Sequence, residues 1–160
     1  MLDICSYERG DELQVLGIWN EVVRSGIAFP QDEELCEGQA HEFFSSQSYS
    51  AVARKKGEIL GVYIVHPNNV GRCSHIANAS YAVSSKARGQ GVGRKLVEDS
   101  LVRAKSLGFR IMQFNAVVAS NVGARHLYES LGFRQLGTIE KGFYRGDGVY
   151  EDIISYWIPL

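Results

Sequence analysis

The segment Arg88-Gly89-Gln90-Gly91-Val92-Gly93-Arg94-Lys95 sets three glycines among three cations, between a β-prone run and an amphipathic helical one. The start of a helix leaves backbone N–H groups without partners and carries a partial positive charge, so it attracts phosphate. Glycine lets the backbone approach a ligand and accepts positive φ. Lys86, just upstream, adds a further cation. These residue types suit a phosphate-bearing ligand. Two familiar phosphate loops do not fit the order. A Walker A loop places Lys directly after its last glycine, whereas Gly93 is followed by Arg94. The dinucleotide fingerprint G-x-G-x-x-G matches Gly89 and Gly91 but meets Arg94 at its third glycine. Taken alone, the loop could equally be a turn that caps a helix.

Other reactive side chains are less organised. Cys5, Cys36 and Cys73 form no CxxC pair, and an odd, scattered set reads as reduced thiols rather than a disulfide framework. His41, His66, His75 and His126 fall in no ligand spacing with the cysteines, so no metal is expected. No motif points to a Ser-His-Asp or Cys-His arrangement. A formal net charge of −1 gives no electrostatic argument for nucleic acid or an anionic membrane. The N-terminal residues lack the pattern of a signal peptide, and no apolar run is long enough to span a membrane, so a cytoplasmic protein is expected.

The elements that must position the loop follow from periodicity. A chain of 160 residues fits one domain, 1–160, large enough for a proper core. Leu2 to Tyr7 reads as a strand and Asp11 to Val23 as an amphipathic helix ended by Gly26. Asp32 to Phe44 is a second helical candidate. Tyr49 to Arg54 and Ile59 to His66 form a hairpin around Lys56-Gly57, and Pro67-Asn68-Asn69 is a turn. Ile76 to Val83 is a strand with Ile76, Asn78, Ser80 and Ala82 on one face. Beyond the glycine loop, Val92, Leu96, Val97, Leu101, Ala104 and Leu107 form a helical stripe that Gly108 ends. Ile111 to Val118 is a strand, Asn121 to Leu131 a short helix, and Arg134 to Tyr144 with Val149 to Trp157 a hairpin around Gly146-Asp147-Gly148. This order predicts an α/β fold with a mixed central sheet of about seven strands and flanking helices.

Two segments together carry a family resemblance. Arg88-Gly89-Gln90-Gly91-Val92-Gly93 matches the R/Q-x-x-G-x-G/A pyrophosphate loop of the GNAT (Gcn5-related N-acetyltransferase) superfamily. Asn121 to Phe133 matches its second motif, N-x-x-A-x-x-x-Y-x-x-x-G-F, one helix and one strand further on. The sequence thus resembles an acetyl-CoA-dependent N-acetyltransferase, and the order of elements extends the resemblance over essentially the whole chain. It implies a sheet whose two central strands splay where the acetyl group enters.

The resemblance also implies roles. Backbone N–H groups of Arg88, Gly89, Gln90, Gly91, Val92 and Gly93 would hold the CoA pyrophosphate, with Arg94 beside them. Ala82 and Val83 would pair with the pantetheine arm, and the Val83 N–H would stabilise the oxyanion. Asn121 would contact the arm, Arg125 would reach a CoA phosphate, and Tyr128 would protonate the departing thiolate. Asn121 also suits a plain helix N-cap, and Tyr128 keeps step with Ala124, Leu127 and Leu131 as core filling would. A homodimer is a further expectation from family habit.

The acceptor side is less clear-cut. Many superfamily members place a Glu or Asp on the strand before the loop as general base, but Ile76 to Val83 holds no carboxylate. His75, Glu34, Glu37 and Glu140 are the candidates that sequence offers, beside solvent or an amine that binds already neutral. Asn78 and Asn115, with Gln113 on the same face as Asn115, could hold a substrate carboxylate or carbonyl, or simply satisfy the sheet. With their surrounding sequence they look like the substrate-side asparagines of fungal N-acetyltransferases acting on proline analogues. Phe29 and Tyr144 are aromatic candidates for the acceptor pocket. The expected activity is acetyl transfer to a small-molecule amine, by direct attack in a ternary complex. Alternatives are acetylation of a protein N-terminus, polyamine or antibiotic, or a non-catalytic acetyl-CoA-binding module.

Overall fold

The expected order of elements is observed. In the computed structural model, which describes residues 1–160, the elements are β1 (Asp3–Ser6), α1 (Glu12–Ser25), α2 (Glu37–Ser45), β2 (Tyr49–Lys55), β3 (Glu58–Pro67), β4 (Ile76–Val83), α3 (Val92–Ser106), β5 (Ile111–Val118), α4 (Val122–Ser130), β6 (Arg134–Gly146) and β7 (Val149–Pro159). The seven strands form one mixed sheet in the order β1-β2-β3-β4-β5-β7-β6, parallel only between β4 and β5. The β2–β3 and β6–β7 turns place Lys56-Gly57 and Asp147-Gly148 at positive φ, the geometry of two-residue hairpin loops.

Two expectations are corrected. The second helix starts at Glu37, not Asp32. Asn20 on α1 takes the Leu35 carbonyl with its Nδ2 at 2.8 Å and the Leu35 N–H with its Oδ1 at 2.9 Å, so residue 35 is held outside a helix. Gln39 then closes the helix start by accepting the Cys36 N–H. On α3, Leu107 is 47% exposed, while Ser100 is fully buried in the stripe. Ser100 fits there because its hydroxyl bonds both the Val97 carbonyl and the Tyr81 hydroxyl, each at 2.7 Å.

The sheet is covered on both faces. α1 and α2 pack Val15, Ile18, Trp19, Val23 and Phe44 against Val52, Ile59, Val62, Ile64 and Ala82. α3 packs Val92, Leu96, Val97 and Ala104 against Ala51, Tyr63, Val65, Ala77 and Met112. Each fully buried aliphatic side chain contributes about 1.5–3 kcal/mol of transfer free energy.

The feature that shapes the site is the gap between β4 and β5. They pair only at Ile76 with Ile111 and Ala77 with Met112. Beyond that, β5 follows β7, where its register slips between Phe114 and Val117. Such a bulge bends the strand that carries it. β4 instead follows β3 along its whole length, to Val83 opposite Gly61. The two strands therefore part, as expected for splayed central strands.

Gly61 lets α3 sit directly on β3. A Cβ there would come within 2.9 Å of Leu96 Cδ1, 3.0 Å of Val92 Cγ1 and 3.1 Å of the Ala82 carbonyl. Gly61→Val should cost about 2 kcal/mol by overpacking, seen as a thermal midpoint lower by roughly 5 °C in calorimetry. An unchanged midpoint would show that α3 can shift without loss.

Candidate active site

The parted strands open into a cavity of about 1130 Å³, larger than most small-ligand pockets. One end lies against the start of α3, the other against the loop that joins α1 to α2.

At the α3 end the first intrahelical bond runs from the Lys95 N–H to the Gly91 carbonyl, at 3.2 Å. The N–H groups of Val92, Gly93 and Arg94 therefore have no backbone acceptor. Gly89 and Gly91 adopt φ of +75° and +76°, the left-handed region that disfavours L side chains. Gly89, Gly91, Val92 and Gly93 line the cavity, as do the exposed Arg88 and Arg94. Arg94 also bridges α3 to α4 by donating to the Ser130 hydroxyl at 2.7 Å. Gln90 does not line the cavity; its N–H is taken by the Ala87 carbonyl at 3.3 Å.

Strand parity decides which groups of β4 face the gap. Ser84 donates to the Leu60 carbonyl at 2.8 Å, so that rung is hydrogen-bonded to β3. Bonded rungs alternate in an antiparallel pair. Ala82, opposite Val62, thus spends its backbone on β3, and it does not line the cavity. Val83 and Tyr81 turn their N–H groups the other way, toward a β5 that has already departed. Both line the cavity.

α4 forms another part of the wall. Asn121 is both N-cap and wall residue: its Oδ1 accepts the Ala124 N–H at 3.3 Å. Tyr128 is surrounded by the rings of Tyr81, Phe114, Phe133 and Tyr156, with centroids 4.6–6.4 Å away. Its hydroxyl bonds to no other group of the chain, and burial pushes its pKa up, with Tyr156 adding to the effect. The proton therefore stays on Tyr128 at neutral pH. Arg125 turns away from the cavity, donating to the Tyr156 hydroxyl at 3.3 Å and the Ala119 carbonyl at 3.0 Å.

At the far end, Asn78 and Asn115 face each other across the gap and are joined by a residue that sequence had marked only as a turn. Asn68 accepts the Nδ2 of Asn78 at 2.9 Å and that of Asn115 at 2.7 Å on one Oδ1. Gln113 steadies Asn115 by donating to its Oδ1 at 3.1 Å. Phe29 lies on the cavity wall and stacks at a tilt on Trp19, with centroids 4.5 Å apart. Tyr144 does not reach this wall; it is exposed and paired with Tyr150 at the β6–β7 turn.

None of the four base candidates lies on the wall. His75, Glu37 and Glu140 are exposed, and Glu34 pairs with Arg24 at 2.6 Å. Sequence reading missed Glu21, which does line the cavity and tethers α1 to the loop before α3 by accepting the Ser85 N–H at 2.8 Å. Hydrogen bonds from Ser85, helped by Arg88 and Arg24, hold its carboxyl below the usual range. It also missed His66, which lies on a different strand from the one before the loop, and Tyr81, which directly precedes the pair that the resemblance singled out. No three of the His, Cys, Asp and Glu side chains come together as a metal site, and no helix is long and apolar enough to cross a membrane.

Unpaired amides, left-handed glycines and two arginines fit a diphosphate at the α3 end. Gly91→Val should force this turn to move and weaken acetyl-CoA binding by 10-fold or more, about one or two charge-assisted hydrogen bonds. Calorimetric titration reads the loss, and circular dichroism checks that the fold persists. Unaltered affinity would count against these amides as the anion site.

Known proteins agree with this geometry. Residues 17–133 match the model of the acetyltransferase (GNAT) family. N-acetyltransferase aca1 of Schizosaccharomyces pombe is 30% identical over 155 residues, covering 86% of this chain and 74% of that protein. A GCN5-related N-acetyltransferase from Kribbella flavida superposes with a TM-score of 0.92 at 36% identity, covering 99% of this chain and 98% of its own. A phosphinothricin acetyltransferase from Sinorhizobium meliloti, solved with acetyl-CoA, shares the fold at a TM-score of 0.91 and 22% identity, over 99% and 88% of the two chains. These matches, with the glycine-led helix start and the parted strands, place the chain in the GNAT family, as an N-acetyltransferase that takes its acetyl group from acetyl-CoA.

Proposed function

We propose that the enzyme acetylates the amine of a small molecule that carries a carboxylate or carbonyl, with amino acids or proline analogues as the substrate class. The observation that supports this most is the amide cluster of Asn68, Asn78 and Asn115 at the acceptor end. Asn78 and Asn115 each spend one N–H on Asn68 and keep another. Neutral donors of this kind suit a carboxylate or carbonyl. Glu21 is the sole carboxylate on the wall, and it is engaged by Ser85 beside Arg88. A polyamine or aminoglycoside would find no anion for its second positive charge. Phe29, Val22 and Ile27 offer apolar surface to a ring or short aliphatic side chain.

In this reading the amides of Val92, Gly93 and Arg94 and the side chain of Arg88 hold the diphosphate, and Asn121 lies along the pantetheine arm. The amine attacks the thioester carbonyl directly, in a ternary complex. The N–H groups that β4 turns into the gap, those of Val83 and Tyr81, take the charge that develops on the carbonyl oxygen, worth about 3–4 kcal/mol for a preorganised donor, and Tyr81 is two residues nearer Asn78. Tyr128 then protonates the departing sulfur. The burial that raises the Tyr128 pKa also disfavours a thiolate in the same cavity, so it does not by itself oppose the transfer. Cys5, Cys36 and Cys73 are free thiols, in keeping with the reducing cytoplasm we assign to the protein.

A free-thiol assay over an amine panel tests the substrate class. Proline, its ring-size analogues and other amino acids should be turned over, and their decarboxylated counterparts much less. Preference for a polyamine, an aminoglycoside or a peptide N-terminus would overturn the reading, and binding of acetyl-CoA without transfer would mark a non-catalytic module. Tyr128→Phe should lower kcat by about 10²-fold or more while leaving acetyl-CoA affinity nearly unchanged. Normal turnover would remove Tyr128 from the chemistry.

A further inference from the structure

The proposed chemistry lacks a group to take the proton from the acceptor ammonium, and β4 carries no carboxylate. We infer that His66 is that group, acting through its Nε2. The inference rests on the proposed orientation of the acceptor, with its carboxylate on the amide cluster.

His66 sits near the end of β3 and lines the cavity. Its Nδ1 lies 3.0 Å from the carbonyl oxygen of Pro67. A carbonyl oxygen only accepts, so Nδ1 carries the proton of the neutral ring. Nε2 is then the bare nitrogen, with its lone pair available. The tautomer a base needs is therefore set by the backbone of the next residue.

The register places His66 opposite Asn78. Side chains on directly opposed residues have Cβ atoms roughly 5 Å apart. Asn78 in turn bonds Asn68, which bonds Asn115. The imidazole thus adjoins the amides proposed to hold the carboxylate. In an α-amino or imino acid the nitrogen is separated from its carboxyl carbon by the α-carbon alone, so fixing the carboxylate brings the ammonium close to the imidazole. The carboxylate also favours the imidazolium that forms.

The other titratable groups on the wall are occupied or lie elsewhere. Glu21 on α1 is bonded to Ser85 and held anionic beside Arg88. Tyr81 on β4 is tied to Ser100, and burial pushes its pKa up, as it does for Tyr128 on α4. Arg88 and Arg94 belong to the anion end, and His126 is on α4 with Asn121 and Gly123. None of these hydrogen-bonds to His66, whose one bond is to Pro67.

The proton balance is complete. One ammonium proton passes to His66 Nε2 before attack, and the imidazolium releases it to solvent through the cavity mouth. The nitrogen–carbon bond forms first, placing negative charge on the carbonyl oxygen, and the carbon–sulfur bond breaks as that carbonyl re-forms. The second nitrogen proton leaves as the amide forms and replaces the one that sulfur takes from Tyr128.

His66→Asn tests this, because its Nδ2 can keep the bond to Pro67 while the Nε2 base is gone; His66→Gln serves as a second variant. The acceptor is the best amine of the panel, whatever its class, so the result is separable from the substrate proposal. At neutral pH, kcat/KM should fall about 10²-fold with acetyl-CoA affinity and thermal midpoint unchanged. The loss should shrink as pH rises into the amine's own titration range. It should shrink equally for acceptors of low amine pKa, which bind already neutral. Full activity in both variants, or a loss of the same size at every pH and for every amine, would overturn the role.

Discussion

The site depends on the failure of β4 and β5 to stay paired. In a continuous sheet the N–H groups of Tyr81 and Val83 would be spent on a neighbouring strand. Here β5 pairs with β4 over Ile76 and Ala77 and then leaves with β7, through a bulge between Phe114 and Val117. A sheet interior normally cannot leave backbone donors unmatched without a cost of about 1–3 kcal/mol each. That cost is tolerable where an acyl donor with carbonyl groups of its own completes the pairing. The gap is therefore a weakness of the sheet that leaves donors free to pair with an extended ligand.

The same bulge carries Asn115 to the gap, where it bonds Asn68. Its partners come from elsewhere: Asn78 from β4, Asn68 from the loop after β3, and Phe29 from the loop after α1. The end at α3 is built by different means, from the helix start and two glycines at positive φ. Glu21 links these regions by fastening α1 to the loop before α3. A glycine-led helix start and a cluster of neutral amides thus border the same cavity. Val83 and Tyr128 line the wall of that cavity.

The order of elements was legible from the chain because hydrophobic periodicity and glycine punctuation are local. β4 and β5 have the bounds that alternation predicted, and Gly26, Gly108 and Gly132 stand at the helix ends at positive φ. The glycine loop was legible for the same reason, since helix start, glycine and cation are contiguous. Local signals failed where a distant side chain intervened. Asn20 shortened the second helix from fifteen residues away in sequence, and Tyr81 gave Ser100 a partner that made it a core residue.

By itself the sequence determined the α/β class, the glycine-led start of α3 and the pairing of that loop with the Asn121–Phe133 motif, because each is a pattern within a few turns of chain. Only the tertiary structure decided which backbone groups are free. Strand parity gives Ala82 to β3 and leaves Val83 to the cavity, while hydrogen bonds to Tyr156 and Ala119 hold Arg125 off the wall that Tyr128 lines. It also brought together Asn68, Asn78, Asn115 and His66, across strands that periodicity cannot place beside one another. Register is a property of two strands at once, and a single strand's alternation does not contain it.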